Sequence, residues 1–114
     1  RMLGRALSDL GKEDEALAMF ERAVETDESD PWAHFDLGKL FDSRGEFEAA
    51  KQELEEAIAL DESMPWPHIY LAEIWDDIDA EPVPALKHYK AYLELGGPDD
   101  DERVKKRIEQ LEGE

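Results

Sequence analysis

Pro-Trp-Ala-His at Pro31 returns as Pro-Trp-Pro-His at Pro65, 34 positions later. The same offset runs far beyond these two stretches, and it limits the possible folds more than any other feature. Leu3-Gly4 aligns with Leu37-Gly38 and then Leu71-Ala72; Leu7 aligns with Phe41 and Trp75, and Gly11 with Gly45. Ala16 aligns with Ala50, Phe20 with Leu54, Ala23 with Ala57, and Asp27-Glu28-Ser29 with Asp61-Glu62-Ser63. After Trp75 the third copy gains one residue, so Ala85, Tyr89 and Tyr92 continue the columns of Ala16, Phe20 and Ala23 at an offset of 35. A chain that repeats at this interval stacks copies of one supersecondary unit, each burying its apolar face on its neighbours.

Each unit reads as two helices. Phe35, Leu37, Leu40 and Phe41 lie on the first, which Gly45 breaks. Phe47, Ala50, Leu54, Ala57 and Ile58 follow at the three-and-four spacing of an amphipathic second helix. Pro31 and Pro65 suit a first helical turn, where no amide donor is needed. The Gly and Ala columns predict close approach between helices. In the third unit Pro82 and Pro84 replace the turn glycine, but both fit the first turn of a helix capped by Glu81. Gly96-Gly97-Pro98 then stops that helix, and Asp99 with Glu102 forms a capping-box-like start for a last one. This last helix carries the narrow apolar stripe Val104, Ile108 and Leu111 among Arg103, Lys105, Lys106 and Arg107.

The pattern resembles the tetratricopeptide repeat, a 34-residue helix-turn-helix unit with the signature W-x2-L-G-x2-Y…A-x3-F…P. Leu37-Gly38-x2-Phe41 with Ala50-x3-Leu54 carries the likeness in the second unit. Leu3-Gly4-x2-Leu7 with Ala16-x3-Phe20, and Leu71-Ala72-x2-Trp75 with Ala85-x3-Tyr89, carry it in the others. The resemblance implies an all-α, right-handed solenoid of three such repeats plus a C-terminal capping helix. The expected divisions are 1–30 for an N-terminally truncated first repeat, 31–64 for the second, 65–97 for a third with a modified loop, and 98–114 for the cap. Two departures stand out. His34 and His68 occupy the family's Trp position, and Glu28 and Glu62 its inter-repeat Pro position.

In that family the first helices line a concave groove that receives peptides. Matching columns put Arg5, Trp32, Phe35, Asp36, Lys39, Trp66, Ile69, Tyr70 and Glu73 in such a groove, flanked by Arg1, Met2, Ser8, Asp42, Asp76 and Asp77. Trp32 and Trp66 either contact a ligand there or staple adjacent repeats. One subtype grips a peptide carboxylate with Lys, Asn and Arg; here Arg1, Arg5, Asp36, Trp66 and Tyr70 stand instead, which argues against that ligand.

Thirty-one acidic residues oppose 13 basic ones, for a formal charge of −18. Such a surface repels nucleic acid and anionic membranes; it suits basic partners, or it serves only solubility. The expected partner is therefore a protein or peptide that is apolar with basic character. Cysteine is absent, which excludes thiolate metal sites and thiol nucleophiles. No nucleophile motif surrounds Ser8, Ser29, Ser43 or Ser63, and the glycines make no phosphate loop, so neither an enzyme nor a cofactor is expected. His34 and His68 are expected to pack within their repeats, His88 to sit at the surface, and none to bind metal. Asp77, Asp79 and Glu81 alternate as in a calcium loop, but Pro82 stands where that loop needs Gly, and His88 where it needs a bidentate Glu.

Arg1 already falls inside a helix, so the sequence is expected to be a piece of a longer chain, its compartment left open. Two alternatives to a peptide-binding scaffold follow. One is homo-oligomerisation, with weak self-association through Met2, Leu3, Ala6, Leu7 and Leu10 at the N-terminal end. The other is a regulatory segment of a larger enzyme.

Overall fold

A computed structural model of the chain describes residues 13–96 and 101–113. Among these the architecture is all-α, with no strand. The chain divides into two compact units, Arg1–Glu62 and Ser63–Glu114. The border falls just ahead of the expected start of the third repeat.

The first unit holds α1 (Glu13–Thr26), α2 (Pro31–Ser43) and α3 (Phe47–Leu60). Asp27 closes the α1–α2 turn by accepting hydrogen bonds from the Ser29 amide at 3.1 Å and the Ser29 hydroxyl at 2.7 Å. Asp30 caps α2 through the Trp32 amide at 2.9 Å, and Pro31 sits in the first turn as its missing donor allows. Gly45 leaves the helix in the left-handed region, φ 79°. Ala16, Phe20, Leu37 and Leu40 form one buried cluster. α2 and α3 approach so closely that a Cβ on Gly38 would lie 2.9 Å from Cγ of Leu54, which is itself wholly buried.

The second unit holds α4 (Trp66–Glu73), a π-helical turn (Ile74–Ile78), α5 (Pro82–Glu94) and α6 (Asp101–Glu112). The residue gained after Trp75 is taken up inside the first helix of the pair. The Asp79 amide reaches back five residues to the Ile74 carbonyl at 3.0 Å, so the helix widens in its last turn and ends there. The left-handed residue that ends the helix then falls at Ala80, φ 53°, 35 positions after Gly45. Alanine pays steric strain there that glycine avoids. Ala80→Gly is therefore expected to raise stability by about 0.5–1 kcal/mol, after the greater freedom of glycine in the unfolded chain is deducted. A urea midpoint that falls in this variant would contradict the strained turn.

Glu81 precedes α5, with Pro82 and Pro84 in its first turn, as expected. α6 closes the unit: Val104, Ile108 and Leu111 join Ile69, Ala72, Ala85, Tyr89 and Tyr92 in one core. The column residues Ala16, Ala50 and Ala85 have no exposed surface, which is why the positions are small. The expectations placed on Arg1, Met2, Leu3, Arg5, Ala6, Leu7, Ser8, Leu10 and Asp99 fall outside the described residues.

Candidate functional site

The nine residues assigned to the groove separate by accessibility. Trp32 is 36% exposed at the head of α2. Its ring meets that of Phe35 edge-on, with centroids 5.8 Å apart, and the Lys39 ammonium lies 5.4 Å from the Phe35 ring centre. Lys39, Trp66, Tyr70 and Glu73 are half-buried. Trp66 packs on Tyr92, centroids 6.2 Å apart. Phe35, Asp36 and Ile69 are buried, which removes them as direct contacts in this conformation. The reason lies in α2, where every residue from Ala33 to Gly38 is buried, so the burial runs round the helix instead of along one stripe. Arg5 lies outside the described residues.

The histidines build two versions of one arrangement. In the second repeat, His34 Nδ1 is 2.8 Å from a Glu53 carboxylate oxygen, and Nε2 is 2.9 Å from the Glu28 carbonyl. Both partners are acceptors, so both ring nitrogens must donate, and the site favours the imidazolium. Burial pulls the His34 pKa down, but the bonds to Glu53 and Glu28 and the charges of Glu53 and Glu56 outweigh it and hold the ring above its ordinary value. In the third repeat, His68 Nδ1 lies 3.0 Å from His88 Nδ1. His88 stands 35 positions after Glu53, the offset of the repeat itself, so one slot holds an acid in one repeat and an imidazole in the next. There one nitrogen donates and the other accepts, and the pair is neutral. Burial, then the charges of His68 and Lys87, push the His88 pKa down to about 4; burial and Lys87 lower that of His68. The expectation that His88 sits at the surface is corrected: it is 8% exposed because α5 turns it toward α4.

A third arrangement joins α6 to the π turn. The Arg107 guanidinium donates from Nε to Asp76 Oδ2 at 2.7 Å and from Nη2 to Oδ1 at 2.6 Å, and the Tyr89 hydroxyl donates to Oδ2 at 2.9 Å. The Arg107 bonds hold the Asp76 carboxyl below the usual range against the effect of burial, with Tyr89 adding to the shift. Burial and the Asp76 carboxylate raise the Tyr89 phenol. Two signals in the sequence bear on these contacts. The repeat offset pairs Glu53 with His88, and the extra residue after Trp75 marks an altered helix beside Asp76.

Among the described residues, no three His, Asp or Glu side chains gather in a way that could hold a metal ion. No helix there is long and apolar enough to cross a membrane. The constellations present are hydrogen-bonded packing groups and an accessible aromatic edge, suited to contact with another polypeptide.

Comparison with known proteins agrees with this architecture. No curated protein matches the chain. Among solved structures, the Yersinia enterocolitica type III secretion chaperone SycD, in complex with a peptide of the translocator YopD, aligns with a TM-score of 0.86 at 21% identity, over 97% of this chain and 88% of that one. The first tetratricopeptide repeat domain of Spaghetti (RPAP3), bound to the HSP90 peptide SRMEEVD, aligns with a TM-score of 0.85 at 18% identity, over 99% and 87%. PcrH, in complex with the chaperone-binding region of PopD, aligns with a TM-score of 0.85 at 20% identity, over 98% and 87%. At these identities the likeness is one of fold, the right-handed α-solenoid that the repeat pattern implies. The model of the Tetratricopeptide repeat family matches residues 7–65, just over half of the sequence. With its period, its helix pairs and its small-residue columns all in place, the chain belongs to the tetratricopeptide repeat family.

Proposed function

We propose that the chain is a protein-interaction module that holds an extended or helical peptide segment against the first helices of its repeats. The observation that carries the reading is Trp32. Phe20, Phe35, Tyr89 and Tyr92 are buried, whereas this indole stays accessible at the head of a first helix. Accessible aromatic anchors of this kind supply much of the energy of peptide contacts. The similar structures captured with peptides support the same use of the fold. Within the unit of Trp32, Lys39 is half-buried near the Phe35 ring that Trp32 meets; in the other unit Trp66, Tyr70 and Glu73 are half-buried on the corresponding first helix. The charge of −18 favours a ligand with apolar residues and net positive charge. The reading assigns the chain no catalytic step.

Calorimetry with two peptides of equal length, one apolar and basic, the other apolar and acidic, tests it. The basic peptide is expected to bind, and to weaken as salt rises to about 0.5 M, where the screening length is well under 10 Å. Trp32→Ala is expected to lower its affinity by about tenfold or more. Preferential binding of the acidic peptide would refute the charge assignment, and an unaffected Trp32→Ala variant would refute the site.

A further inference from the structure

The head of α2, which carries Trp32, is tied down from two sides. On one side the Asp30 carboxylate accepts from the Trp32 amide at 2.9 Å, and the Asp30 carbonyl accepts from the His34 amide at 3.4 Å. On the other, buried His34 spans from α3 to the turn that leads into α2: Nδ1 lies 2.8 Å from a Glu53 carboxylate oxygen, and Nε2 lies 2.9 Å from the Glu28 carbonyl. A carboxylate and a carbonyl only accept, so the ring serves both only while it carries two protons. Loss of one proton leaves one donor for two acceptors. The remaining proton stays toward the carboxylate, where the bond is charge-assisted. A bare Nε2 lone pair then faces the Glu28 oxygen, and the two repel. Glu28 sits inside a closed turn: the Asp30 amide donates to the Asp27 carbonyl at 3.2 Å, and the Ser29 amide and hydroxyl donate to the Asp27 carboxylate. A displacement of Glu28 therefore carries Asp30 with it, and Asp30 is the cap of the Trp32 amide.

We propose that His34 is a positioning residue for the Trp32 contact: its imidazolium holds the α1–α2 turn and the head of α2 ready for a ligand, and its neutral form loosens them, so the site binds its peptide more tightly with the proton than without it. The inference rests on the reading of Trp32 as the anchor and adds the proton that controls it. Among the described residues, the charges that act on the ring are those of Glu53 and Glu56 on α3. From the turn it meets a backbone carbonyl, while the Asp27 and Asp30 carboxylates are engaged by Ser29 and the Trp32 amide. Burial opposes the proton, but the acceptors and the two acids outweigh it, and the ring titrates above its ordinary value. His68 and His88 titrate below theirs, so above about pH 6.5 His34 is the histidine that still changes charge. The third repeat holds no copy of this device: His68 meets His88 instead of an acid, and no side chain caps α4.

The test is calorimetry on the full chain from about pH 6 to about pH 9, with an N-acetylated apolar peptide whose basic residues are all arginine, so that its own charge stays constant. Affinity is expected to fall about fivefold, the worth of one hydrogen bond, across the pH at which the His34 ring resonances titrate by NMR. Deprotonation also removes a positive charge, which by itself strengthens the binding of a basic peptide, so a fall reports the turn and not the field. Glu53→Gln keeps an acceptor for Nδ1 but removes its charge. It is expected to move the binding midpoint and the His34 midpoint down together, by about one pH unit. A residue that only packs would not carry the binding midpoint with it. His34→Gln is expected to bind at the weaker, high-pH affinity throughout. Constant affinity across the His34 titration, or a step that persists in His34→Gln, overturns the proposal; the Trp32 reading stands in that case if Trp32→Ala still weakens binding. A peptide that binds at no pH refutes the Trp32 reading instead, and the ligand-free chain then decides on His34. Protection of the Trp32 amide against hydrogen exchange, corrected for the intrinsic rate, is expected to drop about fivefold across the same titration, and unchanged protection overturns the proposal.

Discussion

Leu54→Ala is expected to cost about 2–5 kcal/mol, the range for deleting a fully buried leucine side chain. Leu54 has no exposed surface, and it fills the space opposite Gly38, where α2 and α3 come closest. The informative result comes from combining it with Gly38→Ala. In the unchanged chain, a Cβ at Gly38 would lie 2.9 Å from Leu54 Cγ, 3.0 Å from its Cδ2 and 3.3 Å from its backbone nitrogen. Overpacking of that kind costs about 1–3 kcal/mol. It exceeds the roughly 1 kcal/mol that alanine gains over glycine inside a helix. Gly38→Ala should therefore destabilise the chain. In the Leu54→Ala background two of the three close atoms are gone, and the same change should stabilise, because only the helix preference and the partly refilled space remain. The sign of Gly38→Ala reverses, so the two sites couple by about 1 kcal/mol or more. Urea unfolding of the four chains measures this. Additive effects would show that the small-residue column does not exist to admit its neighbour.

Below neutral pH the His68–His88 pair is expected to remove stability, while His34 acts in the opposite sense. The folded pKa of His88 is pushed down to about 4, below the ordinary imidazole value of 6.5, so the unfolded chain takes up the proton first. The neutral pair's contribution is complete above pH 6.5 and is lost as pH falls from there toward 4. For His88 the full difference corresponds to about 3 kcal/mol. His34 is raised, so its contribution is complete below 6.5 and is lost as pH rises through its folded value. Because protonation of the many carboxylates changes stability in the same range, the comparison must be with a variant. His88→Glu copies the Glu53 slot of the second repeat. It is expected to abolish the acid-side loss and to move His68 from below to above the ordinary imidazole pKa. The ring resonances of the three histidines followed by NMR provide the readout. Titration of His68 and His88 at or above 6.5 in the unchanged chain would contradict the buried neutral pair.

The helix pairs were legible because their causes are local and repeated. Gly45 ends its helix where turn chemistry says it should, and Pro82 and Pro84 sit in a first helical turn as their missing donors allow, although the Glu81 side chain before them makes no cap hydrogen bond. The Ala16, Ala50 and Ala85 column announces contact through residue size alone. The candidate site was less legible. Trp32 is accessible as expected, whereas Phe35, Asp36 and Ile69 share its column logic but are buried. A repeat pattern gives the phase of a residue on its helix; it does not say how far round that helix the packing extends.

By itself the sequence determined the period, the pairing of helices and the small positions where they touch, because each follows from spacing and side-chain volume within one unit. Tertiary structure alone decided three things. One extra residue became a π-helical last turn of the first helix of its pair, where the Asp79 amide bonds five residues back to the Ile74 carbonyl. His68 met His88 instead of an acid, because partners 20 positions apart are chosen by how two helices face each other. Arg107 found Asp76 across 31 positions, because a buried carboxylate requires a cation and α6 was the element that brought one within 2.6 Å.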